Sequence, residues 1–195
     1  MSTAEINIAT RRALKRRRRA LSTWRQRVAA KAVYRHIASS SMFRNSHSVA
    51  AYCAGGGELD VSAVISRLLQ QCGHCYLPVS GDAGSMVFAS HRPGQTLGTN
   101  RFGLLEPRGC YQVIQADRLD LVLVPLVAFD RHGGRLGMGG GFYDRCFAFK
   151  QGRPLSRPLL LGVAHDFQLT SRLTAQEWDV RLDAVVTPSG LRLFP

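Results

Sequence analysis

The densest chemistry in the chain lies between Phe129 and Arg145, FDRHGGRLGMGGGFYDR, where Gly133, Gly134, Gly137, Gly139, Gly140 and Gly141 are interleaved with Arg135, Asp144 and Arg145. Glycines let backbone amides close on a phosphate and take up positive φ, and a helix starting after them adds positive potential. Arginines pair bidentately with phosphate oxygens, and Asp144 is a hard oxygen donor of the kind that suits magnesium. The spacing fits neither GxxxxGK[ST] nor GxGxxG, so this is not a standard nucleotide fingerprint. Glycine clusters after strands also make ordinary turns, and spacing alone leaves phosphate cradle and plain turn as even alternatives.

Such a loop needs a scaffold, and the flanking sequence supplies one. Leu119 to Val127 is nearly all Leu and Val, as expected of a strand buried on both faces of a parallel sheet. Shorter apolar runs at 49–53, 75–77, 159–164 and 184–187 read as further strands. Val61, Val64, Ile65, Leu68 and Leu69 recur at helical spacing, and 142–149 can begin a helix. The amino-terminal stretch favours helix to about Ile37, broken where Ser22 caps a second segment; Leu14, Leu21, Val28, Val33 and Ile37 are its apolar positions. A hairpin is expected around 86–89. Strands alternating with helices imply one α/β domain spanning 1–195, with a basic helical segment at about 5–38. In such sheets ligands bind beyond the carboxyl ends of the strands, which points to the loops at 54–58, 129–143 and 165–168.

The chain has 195 residues and a formal charge of +13, much of it in Arg11, Arg12, Lys15, Arg16, Arg17, Arg18 and Arg19. That surface attracts polyanions without naming one. No run approaches the roughly 20 apolar residues of a membrane span, and no apolar core follows the basic amino terminus as in a signal peptide; the expectation is a cytoplasmic protein. The cysteines, Cys53, Cys72, Cys75, Cys110 and Cys146, are odd in number and read as reduced thiols. Cys72 and Cys75 form a lone CxxC with no second pair at zinc spacing.

Taken with its neighbours, the segment Val124 to Arg145, VPLVAFDRHGGRLGMGGGFYDR, resembles the signature of the 5-formyltetrahydrofolate cyclo-ligase (methenyltetrahydrofolate synthetase) family. The resemblance extends over most of the chain, through Arg19-Ala20-Leu21-Ser22, Glu58 ahead of a helix, Leu77-Pro78, Gly103-Leu104-Leu105-Glu106-Pro107, Leu161-Gly162-Val163-Ala164 with Gln168, and Asp179 with Asp183 before Val185-Val186-Thr187.

The resemblance implies a three-layer α/β/α sandwich with a mostly parallel sheet, of the sugar-phosphate isomerase and CoA-transferase type. It also implies ATP-dependent closure of 5-formyltetrahydrofolate, with or without a polyglutamate tail, to 5,10-methenyltetrahydrofolate, with Mg2+ as cofactor. ATP would be held by Arg135, Leu136, Gly137, Met138, Gly139, Gly140, Gly141, Phe142 and Tyr143, and by an amino-terminal contact aligning with Asn7 and Arg11. Folate would lie against Cys53, Glu58, Met138, Gly139, Gly140, Gly141 and Phe142. Arg135 and Asp144 would be catalytic, and Asp144 and Asp183 would hold the metal. Two positions depart from the pattern: Asn7 replaces a basic residue, leaving Arg11 and Lys15 to carry the phosphate contact, and Gly140 stands where some relatives have Lys.

Arg16 to Arg19 read as a solvated face or a surface attracting the folate tail. His132 and His165 receive no role. A monomer is expected. The competing reading is a non-catalytic nucleic-acid-binding module built on the arginine-rich helix; it leaves 129–145 without a purpose.

Overall fold

The apolar runs become a single sheet because each can bury both of its faces. In the computed structural model, which describes residues 3–71, 74–153, 155–171 and 173–195, the elements in chain order are α1 (Thr3–Arg19), α2 (Thr23–Ser39), α3 (Ser41–Arg44), β1 (Ser48–Ala50), α4 (Ser62–Gln70), β2 (His74–Ser80), β3 (Met86–His91), β4 (Leu97–Thr99), β5 (Leu105–Pro107), β6 (Val113–Ile114), β7 (Leu121–Pro125), β8 (Ala128–Phe129), β9 (Arg135–Leu136), α5 (Phe142–Cys146), β10 (Leu159–Val163), β11 (Ala184–Thr187) and β12 (Gly190–Leu193). The 8-stranded sheet has the order β12-β11-β10-β7-β1-β2-β3-β6. From β11 to β2 all neighbours are parallel; β12, β3 and β6 join antiparallel.

Side chains alternate across β7. Leu121 and Leu123 face a core shared with Val33 and Ile37 of α2 and Val64 and Leu68 of α4. Val122 and Val124 face a second core with Phe88, Phe147, Val180 and Leu182. Two full helices cover the first face; the second is covered by α5, a 3-10 turn at Ala148–Lys150 and irregular chain. The expected mostly parallel sheet with flanking helices is therefore present, with one helical layer much thinner than the other.

Ser22 caps α2 as expected, its Oγ accepting from Arg25 N at 3.3 Å. Val28, expected on the apolar stripe, is 50% exposed, and Ala29 takes the buried place. The first strand leaves the ladder at Ala50, so Tyr52 and Cys53 turn out of the sheet; the Tyr52 hydroxyl donates to Leu59 O at 2.8 Å. The helix expected over 142–149 stops at Cys146, because Phe147 turns into the second core and stacks on Tyr143. β12, not anticipated, returns antiparallel on β11 through a turn at Pro188 and Ser189. Cys72 of the CxxC lies outside the described residues.

Crossovers fix where a ligand can sit. The connection from β1 through α4 to β2 packs on one face, and the connection from β7 through α5 to β10 packs on the other. The chain thus departs in opposite directions from the adjacent strands β1 and β7, which opens a crevice beyond their carboxyl ends.

Candidate active site

The loop after β7 enters that crevice in two stages. First, β8 and β9 form a short hairpin, Ala128 opposite Leu136 and Phe129 opposite Arg135. Its turn is built on buried Asp130, whose Oδ1 accepts from His132 N at 2.8 Å and Gly134 N at 2.9 Å, and whose Oδ2 accepts from Leu173 N at 3.0 Å. Gly133 and Gly134 are therefore turn glycines, and the plain-turn alternative holds for them. The second stage, Gly137 to Gly141, runs along the crevice and ends at Gly141, φ +63°, before α5. A left-handed residue there favours glycine. Since α5 spans only Phe142–Cys146, the positive potential expected from a helix terminus is small.

Two cavities flank this second stage. One, of about 160 Å³, is lined by Tyr52, Cys53, Glu58, Pro78 and Glu106 on one side and by Met138, Gly140, Phe142 and Tyr143 on the other. Most of its surface is apolar, with carboxylates at Glu58 and Glu106. Leu104 and Leu105 close it from a loop that Asn100 shapes, its Oδ1 accepting from Phe102 N and Leu104 N at 2.9 Å each; Phe102 meets Phe142 edge-on at 5.6 Å. The other cavity, about 700 Å³, is lined by Asn7, Ile8 and Arg11 of α1, by Gly137, Gly139 and Gly141, and by Trp178 and Asp179. Arg135, Gly137, Gly141 and Asp144 line both.

At that junction Arg135 Nη2 donates to Asp144 Oδ1 at 2.6 Å, with the Arg135 side chain only 4% exposed. The same Asp144 oxygen accepts from Val180 N at 3.2 Å. Burial pulls the Arg135 pKa down, opposed by Asp144 and then Asp179. Arg135 Nη1 is buried with no partner. A buried guanidinium nitrogen without an acceptor is costly, and the side chain that carries it lines both cavities.

Glu58 is a second largely buried charge at the crevice, its side chain 10% exposed. Its Oε2 accepts from Gly55 N at 3.1 Å and its Oε1 is 3.6 Å from Arg18 Nη2. Burial raises its pKa, while Arg18, the Gly55 N–H and Lys15 pull it back. Burial likewise pushes the Cys53 thiol up, with Asp60 adding to it, so Cys53 is a neutral wall group and not a nucleophile.

The structure thus gathers Asn7, Arg11, Cys53, Glu58, Arg135, the 136–143 segment and Asp144 around one crevice. Arg11 Nε donates to Gly137 O at 2.9 Å, which docks α1 on the loop. Lys15 lines neither cavity; its charge acts on Glu58. Two expectations need correcting. Asp183, expected beside Asp144 on a metal, is buried elsewhere: it accepts from Leu155 N at 2.9 Å and Leu160 N at 2.7 Å and pairs with Lys150 at 3.2 Å. The carboxylate that shares the larger cavity with Asp144 is Asp179. Arg145, expected on phosphate, turns away and clamps Gly84 O and Gly140 O at 2.9 and 2.6 Å.

Three groups were missed. Arg18, assigned to a solvated face, is 2% exposed. Glu106 accepts from Ser80 N at 2.8 Å and Asn100 Nδ2 at 2.6 Å at the smaller cavity's wall; its only signal was its place in the Gly103 to Pro107 run. Trp178 stands on the larger cavity, 63% exposed, with no sequence signal beyond an aromatic in a loop.

Among the described residues no cluster of three or more His, Cys, Asp and Glu is poised for a metal. The pair Asp144 and Asp179 instead suits magnesium, which takes one or two carboxylates and completes its shell with phosphate oxygens and water.

A model of the 5-formyltetrahydrofolate cyclo-ligase family matches residues 4–188. The 5-formyltetrahydrofolate cyclo-ligase of Escherichia coli (strain K12) is 38% identical over 179 residues, covering 90% of this chain and 97% of that enzyme. The Haemophilus influenzae cyclo-ligase is 33% identical over 165 residues, covering 83% and 87%. The NMR structure of Aquifex aeolicus 5,10-methenyltetrahydrofolate synthetase superposes with a TM-score of 0.81 at 30% identity, over 96% of this chain and 92% of that one. The Mycoplasma pneumoniae 5,10-methenyltetrahydrofolate synthetase superposes at 0.74 with 21% identity, over 93% and 98%, a likeness of fold.

Proposed function

The chain belongs to the 5-formyltetrahydrofolate cyclo-ligase family, and from that premise we infer how its crevice works. It is an ATP-dependent ligase that cyclises 5-formyltetrahydrofolate to 5,10-methenyltetrahydrofolate. The observation that carries the site assignment is the junction: an apolar cavity with a buried carboxylate and a polar, arginine-bearing cavity meet at Arg135 and Asp144.

In this reading the pteridine enters the smaller cavity. Glu58 accepts hydrogen bonds from its N–H groups, while Cys53, Met138, Gly140 and Phe142 wall the ring and its formyl substituent; Gly139 faces the larger cavity. The triphosphate lies in the larger cavity along Leu136 to Gly141, with Asn7 and Arg11 at its α1 end, while Tyr143 lines the smaller one. Trp178 offers the exposed aromatic surface there. Asp144 and Asp179 are the carboxylates that would hold Mg2+, which when bound would screen the triphosphate's charge.

A formamide carbon is a poor electrophile, so its oxygen must first become a leaving group. The γ-phosphoryl passes to the formyl oxygen, releasing ADP; nitrogen 10 attacks the imidate-like carbon; the carbon–oxygen bond breaks, the N10 proton is lost, and phosphate departs. Phosphoryl transfer asks chiefly for alignment and charge neutralisation. Arg135, whose side chain lines both cavities, supplies a preorganised cation beside the oxygen that bridges the two substrates. Asp144 fixes that guanidinium in place. No covalent enzyme intermediate is needed.

The nucleic-acid reading is not supported: it leaves 129–145 without a purpose, and two of the arginines it relies on are engaged within the fold, Arg18 in an ion pair and Arg11 on the loop. No helix of the described residues is long and apolar enough to cross a membrane; a cytoplasmic, monomeric enzyme acting on folates with or without a polyglutamate tail remains our proposal, as does a single domain.

The test is to mix protein with 5-formyltetrahydrofolate, ATP and magnesium and follow the near-ultraviolet absorbance of the methenyl product. Product that requires both ATP and metal is expected. Turnover unchanged by chelation would remove magnesium, and turnover unchanged in Arg135→Gln would remove the junction from the mechanism.

A further inference from the structure

Seven of the chain's arginines and lysines crowd the α1 region between Arg11 and Arg19, yet Arg18 behaves unlike the rest. Its side chain is 2% exposed, whereas Arg12, Arg16, Arg17 and Arg19 lie on the exposed surface. Its Nε donates to Gly56 O at 3.1 Å and its Nη1 to Leu126 O at 3.3 Å, so it bridges the loops that follow β1 and β7, the two strands flanking the crevice. Its Nη2, 3.6 Å from Glu58, completes no hydrogen bond. The loop approaches α1 so closely that a Cβ on Gly57, at φ +81°, would sit 2.8 Å from Arg18 O. Arg18 does not line the smaller cavity; it stands behind Glu58, which does.

Helical geometry joins this to the other cavity. Asn7, Arg11 and Arg18 are spaced by four and seven residues, which places them on one stripe of α1. From Arg11 to Arg18 is two turns, about 10 Å. At one end of that stripe Arg11 is bonded to Gly137 O of the glycine loop; at the other Arg18 holds the Glu58 loop.

We propose that Arg18 is a positioning residue for the folate-side carboxylate Glu58, and that α1, anchored by Arg11 at one cavity and by Arg18 at the other, makes nucleotide and folate binding mutually reinforcing. The inference rests on Glu58 being a folate contact. A buried carboxylate without a cation behind it would take up a proton or swing toward solvent, and either loses its acceptor oxygens. The groups facing Glu58 are Arg18 and Lys15 from α1, Tyr52 and the Gly55 N–H from the loop after β1, and Tyr143 from α5, with His165 beyond Arg18. With Arg18 gone, burial acts on Glu58 opposed only by the Gly55 bond and Lys15. Its carboxylate form is then lost at a higher pH, so the acid limb of kcat/KM for folate moves up.

The experiment uses the full chain with Arg18→Met, Arg18→Lys and Glu58→Gln, each checked by thermal unfolding. Steady-state kinetics are measured from pH 5 to 9, and folate binding with and without a non-hydrolysable ATP analogue. For Arg18→Met we expect the folate KM to rise tenfold or more, the ATP KM to stay within twofold, the acid limb to move upward, and the analogue's tightening of folate to disappear. Arg18→Lys, which keeps the cation and serves if the neutral variant does not fold, should restore the native acid limb while its folate KM stays several-fold high. A native folate KM and pH profile in Arg18→Met would overturn the proposal. So would losses shared equally between both substrates with an unmoved acid limb, the mark of a structural role, or a native protein whose folate affinity ignores the analogue. A native folate KM in Glu58→Gln would instead overturn the reading of Glu58 on which the inference stands.

Discussion

Two buried ion pairs, similar in chemistry, each take one partner from the stretch 142–150 that follows the glycine loop. Lys150 and Asp183 are 3.2 Å apart, with side chains 2% and 4% exposed. Every role there is filled: Lys150 Nζ also donates to Ser156 O, and the two Asp183 oxygens accept from Leu155 N and Leu160 N. Arg135 and Asp144 are 2.6 Å apart, but Nη1 of the arginine has no partner and the Asp144 side chain is 24% exposed toward two cavities. The first pair closes on itself and serves the fold. The second leaves hydrogen-bonding capacity open at a side chain that lines two cavities.

This contrast can be broken by mutation. The largest effect should come from Asp183→Ala, which leaves the Lys150 ammonium buried alone and should cost about 3–5 kcal/mol of stability; denaturant unfolding measures it. Activity per folded molecule should stay near native, and a loss of turnover in the folded fraction would return Asp183 to the site. Arg135→Gln should do the reverse, lowering kcat about 10²–10³-fold, as expected when a preorganised donor is removed, with an unfolding midpoint close to native.

A smaller effect is expected at the turn that launches the loop. Burial alone would lift the Asp130 carboxyl, yet N–H bonds from Leu173, His132 and Gly134 hold it below its ordinary 3.8. A depressed carboxylate stabilises the fold above its unfolded value, and that contribution fades as pH falls through the folded one. Asp130→Asn should therefore cost about 2 kcal/mol at neutral pH, and its gap from the native protein should narrow when unfolding is repeated below 3.8; a gap independent of pH would refute the assignment. The smallest effect belongs to Arg145→Met, which loses exposed bonds to Gly84 O and Gly140 O and a contact over the Phe142 ring. About 1 kcal/mol or less of stability is expected to go. A fall in kcat as deep as that of Arg135→Gln would mean that Arg145, too, works on phosphate.

Much of the scaffold was legible because it depends on local pattern. The Leu and Val run of β7, the apolar spacing of α4 and the Ser22 cap each carry their own signal, and each appears where the pattern puts it. The glycine segment was legible as a site only through its resemblance to a family; by spacing alone it was an even choice. The structure divides it, with Gly133 and Gly134 serving a turn and Gly137 to Gly141 serving the crevice.

By itself, then, the sequence determined that strands buried on both faces alternate with helices, that a basic helix leads the chain, and that a glycine loop follows the central strand. Those are properties of neighbouring residues. Which charges work and which merely support was decided by tertiary structure. Arg18 meets Leu126 across 108 positions and Arg11 meets Gly137 across 126. Asp179 and Asp183, four residues apart, end in a cavity and in a closed ion pair respectively. Electrostatic roles follow from burial and from the partners that packing brings within a few ångströms, and those distances exist only once the chain has folded.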